Sequence, residues 1–126
     1  MATVNGPQSL GSGYSWVGVG DIESNLQCNP YLLVEGDEAV LFDPGSVLDV
    51  ERVAANVASI VPLDKVKYVV LHHQDPDLAS AVPRLEALGM HVTIVTHWRT
   101  WSLVRVYGVT SPAYMLDEHG FSLTLA

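Results

Sequence analysis

Apolar positions along the chain alternate between a period of two and a period near 3.6, and each change of period marks a new element. Residues 14–20 (YSWVGVG) read as a first strand whose end is loosened by glycines. Two β-rich runs follow, residues 31–35 (YLLVE) and 38–43 (EAVLFD), joined by the short turn Gly36-Asp37. That pattern predicts a hairpin, which Pro44 and Gly45 end sharply. The period then lengthens. Val50, Val53, Ala54, Val57, Ala58 and Val61 fall on one helical face, with Ser46 or Asp49 as N-cap and Pro62 as the stop. Residues 67–71 (KYVVL) form a continuous apolar run, as in a strand covered on both faces. A second helix is expected over residues 81–88, with Ser80 as cap, Pro83 in the first turn and Gly89 at the C-cap. Residues 91–96 predict another strand and residues 98–107 a third helix closed by Gly108. Two short strands, 113–116 and 121–125, flank a turn at 117–120.

The order hairpin, helix, strand, helix, strand, helix, short strands implies an α/β fold with a mixed sheet. No final helix follows the last strand pattern to cover that side of the sheet. At 126 residues the chain suits one domain, and with 48% apolar and 16% charged residues it can bury a core.

Charge narrows the partners. The net charge is −8, and the six basic residues form no run, so a phosphate backbone would be repelled and nucleic-acid binding is disfavoured. Cys28 is the only cysteine, which excludes an internal disulfide and any multi-thiolate metal site. Residues 1–13 lack the basic and apolar regions of a signal peptide, and no apolar run approaches the ~20 residues needed to span a bilayer. A cytoplasmic location away from the membrane is the expectation.

The chemistry concentrates in residues 69–78 (VVLHHQDPDL), directly after a strand, where α/β sheets collect their ligands. His73, Asp75 and Asp77 are spaced by two, so an extended backbone would point one imidazole and two carboxylates to the same side. Pro76 drives Asp75 into the extended region and stiffens the turn. Two carboxylates on one face repel unless a cation lies between them. One nitrogen and several oxygens, with no thiolate, suit iron or manganese at least as well as zinc. Spacing alone also leaves open a plain Asp-Pro-Asp turn with solvated carboxylates and a helix cap.

Three segments carry a resemblance: residues 29–35 (NPYLLVE), 40–46 (VLFDPGS) and 68–77 (YVVLHHQDPD). Together they resemble the metallo-β-lactamase superfamily, and within it the di-iron branch of flavodiiron proteins and related oxygen-binding di-iron proteins. The hydrolases of the superfamily carry His-x-His-x-Asp-His at this place, whereas the di-iron branch has an acid at the second ligand. Residues 79–83 (ASAVP) resemble the helix that follows, and the likeness covers roughly residues 14–126. It implies half of an αββα sandwich, with His73 and Asp75 binding one iron and Asp77 the other, manganese or zinc being the alternatives. Leu78 stands where a histidine often closes the motif, which implies an open position on the second metal. In the family the remaining ligands, a His, a bridging Asp and a final His, lie in the second half of the fold. Residues 1–126 are therefore expected to form a single, incomplete domain that needs the C-terminal half of the fold, or a homo-oligomeric mate, to complete it.

The function so implied is binding, sensing or reduction of dioxygen, or reduction of nitric oxide as an oxidoreductase served by a redox partner. The chain alone is expected to be inactive. A metal-dependent hydrolase is the alternative, weakened by Asp75 and Leu78, and a metal-poor fragment acting through association is the third reading. Outside the motif, His72 is expected to point away from His73, and Asp43 either orients the ligand loop or serves a simple turn. His91, His97 and His119 read as surface or packing residues, Trp98 and Trp101 as core packing, and Cys28 as a small buried residue.

Overall fold

The computed structural model describes residues 3–4, 6–21 and 28–125. Strands β1 (Thr3–Val4), β2 (Gln8–Gly11), β3 (Tyr14–Trp16) and β4 (Gly20–Asp21) precede the hairpin β5 (Tyr31–Glu35) and β6 (Glu38–Phe42). Helix α1 (Val50–Ala58), strand β7 (Val66–Val70), helices α2 (Pro76–Ala79) and α3 (Val82–Ala87), strand β8 (Thr93–Thr96), helix α4 (Trp98–Val104) and strand β9 (Ala113–Met115) follow. Among the described residues, seven strands form one sheet in the order β2-β3-β5-β6-β7-β8-β9, and β1 pairs with β4 apart from it. β2, β3, β5 and β6 are antiparallel, whereas β6, β7, β8 and β9 run parallel. This is the mixed α/β sheet that the pattern predicts. Gly36 opens the two-residue hairpin turn at φ +60°, the position where such a turn favours glycine.

The topology decides where the helices go. Three successive crossovers, β6 to β7, β7 to β8 and β8 to β9, all step the same way across the sheet. Right-handed crossovers stepping in one direction place every helix on the same face. The core agrees. Val50, Val53 and Val57 of α1, Val82 and Leu85 of α3 and Val104 of α4 pack in one cluster with Leu32, Leu41, Val69 and Ile94 of the sheet. Helix α3 ends in a Schellman motif: Met90 donates its N–H to Leu85 O at 3.1 Å and Gly89 to Glu86 O at 3.1 Å, with Gly89 at φ +107°.

The other sheet face carries no helix among the described residues. Register aligns two cross-strand ladders there: Tyr14, Leu33, Val40, Tyr68 and Thr93 in one, and Trp16, Tyr31, Phe42, Val70, Val95 and Tyr114 in the next. Val40 and Val95 are buried by their neighbours, the rest are half-buried, and Tyr14 and Tyr31 are exposed. The apolar run of β7 therefore corrects to a strand covered by helices on one face only.

Other expectations shift for physical reasons. Residues 121–125 form no strand, because Phe121 sits at φ +59° and returns its N–H to Leu116 O, so the segment leaves the sheet plane. Residues 17–19 leave β3 once Val17 bonds Pro30 O instead of a ladder partner. Ser80 does not cap α3; its hydroxyl donates to Pro76 O and accepts from Val47 N. The strands at 3–4 and 8–11 carry no alternation long enough to have been read.

Leu41 is fully buried in the centre of the helix-covered face. Leu41→Ala is expected to lower unfolding stability by about 3 kcal/mol in urea titration, transfer and cavity costs together; a change below about 1 kcal/mol would contradict this packing.

Candidate metal centre

Parallel strands end together, and the loops after β6, β7, β8 and β9 line one edge of the sheet. Asp43 follows β6 in the left-handed region at φ +47°, uncommon for a residue with a side chain. Its N–H reaches across to Val70 O at 2.9 Å. Its carboxylate then grips the end of β7 twice, Oδ1 accepting from His72 N at 2.8 Å and Oδ2 lying 2.7 Å from His72 Nδ1. A carboxylate is an acceptor only, so in this contact Nδ1 carries the proton. Asp43 is 18% exposed, so water competes weakly for its oxygens. Phe42 stacks on the His72 ring at 6.4 Å. His72 is thus tied back to the end of β6, and Asp43 anchors this part of the loop.

His73 and Asp75 come together. Asp75 donates its N–H to His73 Nδ1 at 3.3 Å, and Asp75 Oδ1 lies 3.4 Å from the same nitrogen. While Nδ1 accepts from the main chain its single lone pair is engaged, so this nitrogen binds an ion only once the Asp75 N–H lets go. Donors bound at about 2.1 Å to one ion sit roughly 3–3.4 Å apart at octahedral or tetrahedral angles. The spacing of this pair is that of two donors to one ion once Nδ1 is released from the main chain, or of a His–Asp ion pair when the imidazole is protonated.

Asp77 departs from the expected geometry. Asp75 is extended, at φ −62° and ψ 146°, as the following proline requires. From Pro76 on, however, the chain is helical, with Leu78 and Ala79 donating to Asp75 O. Proline suits the first turn of a helix because it has no N–H to leave unpaired. The alternation therefore stops at Asp75, and Asp77 turns out of the extended register. Among the described residues no three His, Cys, Asp or Glu side chains converge closely enough to hold a metal ion. The described residues bring His73 and Asp75 together without a third such side chain.

Three further groups hold the loop, none of them visible as a motif. Tyr107 donates its hydroxyl to Gln74 O at 2.7 Å. Cys28 donates its thiol to Asp77 O, and Gly45 donates its N–H to Leu78 O at 2.9 Å. Cys28 is half-buried rather than buried. Burial pushes its thiol above the ordinary range, and the carboxylates of Asp77, then Asp49 and Asp43, push it further, against a small opposing hydrogen bond from the Ser46 main chain. The thiol is therefore kept protonated and able to donate.

The other singled-out residues are structural. His97 caps α4, its Nδ1 accepting from Arg99 N at 3.2 Å, and it stacks against Phe121 at 6.4 Å. His119 stacks on Tyr114 at 3.9 Å. His91 is exposed. Trp101 packs on the core, whereas Trp98 is half exposed, a correction to its expected packing role. A cleft of about 560 Å³ opens at the opposite edge of the sheet, between Glu38, Lys67, Glu86 and His91, away from the motif. Its Glu86 carboxylate is already filled by Thr110 N and by Ser111 N and Oγ. No described helix is long and apolar enough to cross a membrane.

Comparison with known proteins places this geometry. The profile described as "ODP family beta lactamase" matches residues 26–126. The structure is similar to the crystal structure of the flavodiiron protein from Giardia intestinalis, with TM-score 0.82 and 22% identity over 100% of this chain and 33% of that one. It is also similar to MEM-A1, a subclass B3 metallo-β-lactamase isolated from a soil metagenome library, with TM-score 0.67 and 19% identity over 78% of this chain and 35% of that one. The metallo-β-lactamase MIM-1 from Novosphingobium pentaromativorans aligns with TM-score 0.60 and 21% identity, over 71% of this chain and 32% of that one. The chain thus spans about a third of the length of these structures. No curated protein matches the sequence.

An acid whose folded pKa is raised contributes stability at pH below its unfolded value and loses it as pH rises through the folded one. Cys28 therefore favours the folded state below the usual thiol range, and this contribution fades in more alkaline solution. Iodoacetamide at pH 8 is expected to alkylate the folded chain at least roughly tenfold more slowly than the chain in guanidinium; equal rates would contradict the described surroundings of the thiol.

Proposed function

The chain belongs to the ODP family of β-lactamase-fold domains, and from that premise we propose that it forms part of a di-iron domain that binds, senses or reduces dioxygen. The observation carrying this reading is the pair His73 and Asp75, one imidazole nitrogen and one carboxylate oxygen 3.4 Å apart at the carboxyl edge of the sheet. An acid at the second motif position distinguishes the di-iron pattern from the His-rich hydrolase pattern, and the higher similarity score of the flavodiiron structure over the full chain supports the same choice. Iron bound there would supply the redox chemistry for dioxygen.

The residues of this chain have narrower tasks. His73 and Asp75 hold one ion. Asp77, in the first turn of α2, would serve the second. Asp43 and His72 fix the direction from which the loop leaves β7, and Leu78 contributes no donor, leaving that side of the site open. Electrons come from a redox partner, since nothing among these residues is itself a redox group.

Residues 1–126 act as one unit of the domain, and a second layer completes it. The uncovered ladders of β3, β5, β6, β7, β8 and β9 form a contiguous apolar surface of the kind that seeks a partner. That layer is the rest of the fold or a second copy of this chain, and it brings the further donors that His73 and Asp75 need.

Two measurements test the reading. After anaerobic loading with ferrous iron and desalting, iron should be retained in proportion to protein and be lost in His73→Ala and Asp75→Asn, with near-ultraviolet charge-transfer bands on air exposure. Retention of zinc in preference to iron, or no difference between wild type and variants, would contradict it. In sedimentation velocity the chain without a partner should run as a dimer or larger species; a monomer with a cooperative melt would show that the bare face needs no cover.

A further inference from the structure

We infer that Tyr107 is a positioning residue of the metal loop, acting through its hydroxyl on the peptide that separates His73 from Asp75. The inference rests on the di-iron reading for what the loop is held for, but not for the contact itself.

Residues 71–75 lie between β7 and α2 and belong to no strand or helix. Main-chain groups in such a segment have no ladder to bond to, so their orientation depends on whatever side chains reach them. The Gln74 carbonyl is the informative one, because it belongs to the peptide unit immediately before Asp75. Rotation of that unit would change ψ of Gln74 and φ of Asp75, and so the angle between the His73 and Asp75 side chains. Tyr107 Oη donates to this oxygen at 2.7 Å across 33 residues of sequence.

The donor is itself held firmly. Tyr107 closes the 3₁₀ turn after α4, and its ring packs half-buried against the helix-side core. Gly108 follows at φ +94°, in the left-handed region that favours glycine, and ends the turn. The start of α4 is pinned from two sides, by His97 Nδ1 accepting from Arg99 N and by Asp117 Oδ1 accepting from Trp98 N at 3.1 Å. A phenol has few rotatable bonds, so a packed ring delivers its hydroxyl to a defined point. The hydroxyl thus transmits the position of the core to the ligand peptide, while Asp43 sets the preceding residue, His72, from the opposite side. Partners bonded directly to a metal ligand are worth roughly 10- to 100-fold in metal affinity, and a contact one peptide removed is set at the lower end of that range.

Tyr107→Phe keeps the packed ring and removes only the donor. Tyr114→Phe is the matched control, because its hydroxyl donates to Ser122 O, away from the loop. Hydrogen exchange on the metal-free protein should show faster exchange of the Asp75 amide and its neighbours in Tyr107→Phe, with the amides of α1 and α3 and the melting temperature unchanged. Ferrous iron titration should show affinity reduced about tenfold in Tyr107→Phe and unchanged in Tyr114→Phe. Unaltered exchange in the loop overturns the inference, as does a loss of protection spread evenly over the core, which would make Tyr107 a packing residue. If neither the wild type nor the variants bind iron while the loop of Tyr107→Phe alone exchanges faster, the positioning role stands and the di-iron reading fails.

Discussion

The site rests on the carboxylate of Asp43. It sits where β6 ends, in a backbone conformation that costs an ordinary residue energy, and it closes two hydrogen bonds onto His72, the second residue after β7. Strand ends in a parallel sheet have no partner for their next main-chain groups, so a short acceptor reaching from the adjacent strand is an efficient way to set the exit angle of the loop. Next to the fixed His72, His73 meets Asp75. Backbone strain at this residue is what allows its side chain to face the neighbouring strand, and such strain persists where surrounding structure enforces it.

A second constraint comes from topology. Three right-handed crossovers stepping one way put the described helices on one face, so among the described residues the other face of the sheet carries two apolar ladders without a helical layer. Under the proposed function the two observations belong together: a layer covering the ladders would lie beside the carboxyl edge of the sheet, where His73 and Asp75 would need further donors.

Much of this was legible in the residues. β-rich runs around Gly36-Asp37 point to β5 and β6, helical spacing to α1 and a continuous apolar run to β7, because their apolar side chains meet a single continuous core. Gly89 and Gly108 marked true helix or turn ends, both in left-handed conformations. The motif named His73 and Asp75 correctly as neighbours. Asp77 leaves the extended register because Pro76 is also a good first residue of a helix; local pattern does not choose between those roles, and the main-chain bonds to Asp75 O do. Residues 121–125 alternate as a strand should, but a strand needs an edge to pair with, and Phe121 bends the chain away from β9. Tyr107 and Cys28 left no trace in spacing, because their contacts with the loop cross 33 and 49 residues.

The grip of Asp43 on His72 has a direct spectroscopic signature. In ¹⁵N spectra of histidine-labelled protein near neutral pH, with its proton on Nδ1, His72 should appear as the Nδ1–H tautomer, and Asp43→Asn should abolish that preference. A His72 ring that favours Nε2–H, or whose spectrum is the same in Asp43→Asn, would mean that the loop is not anchored by this carboxylate.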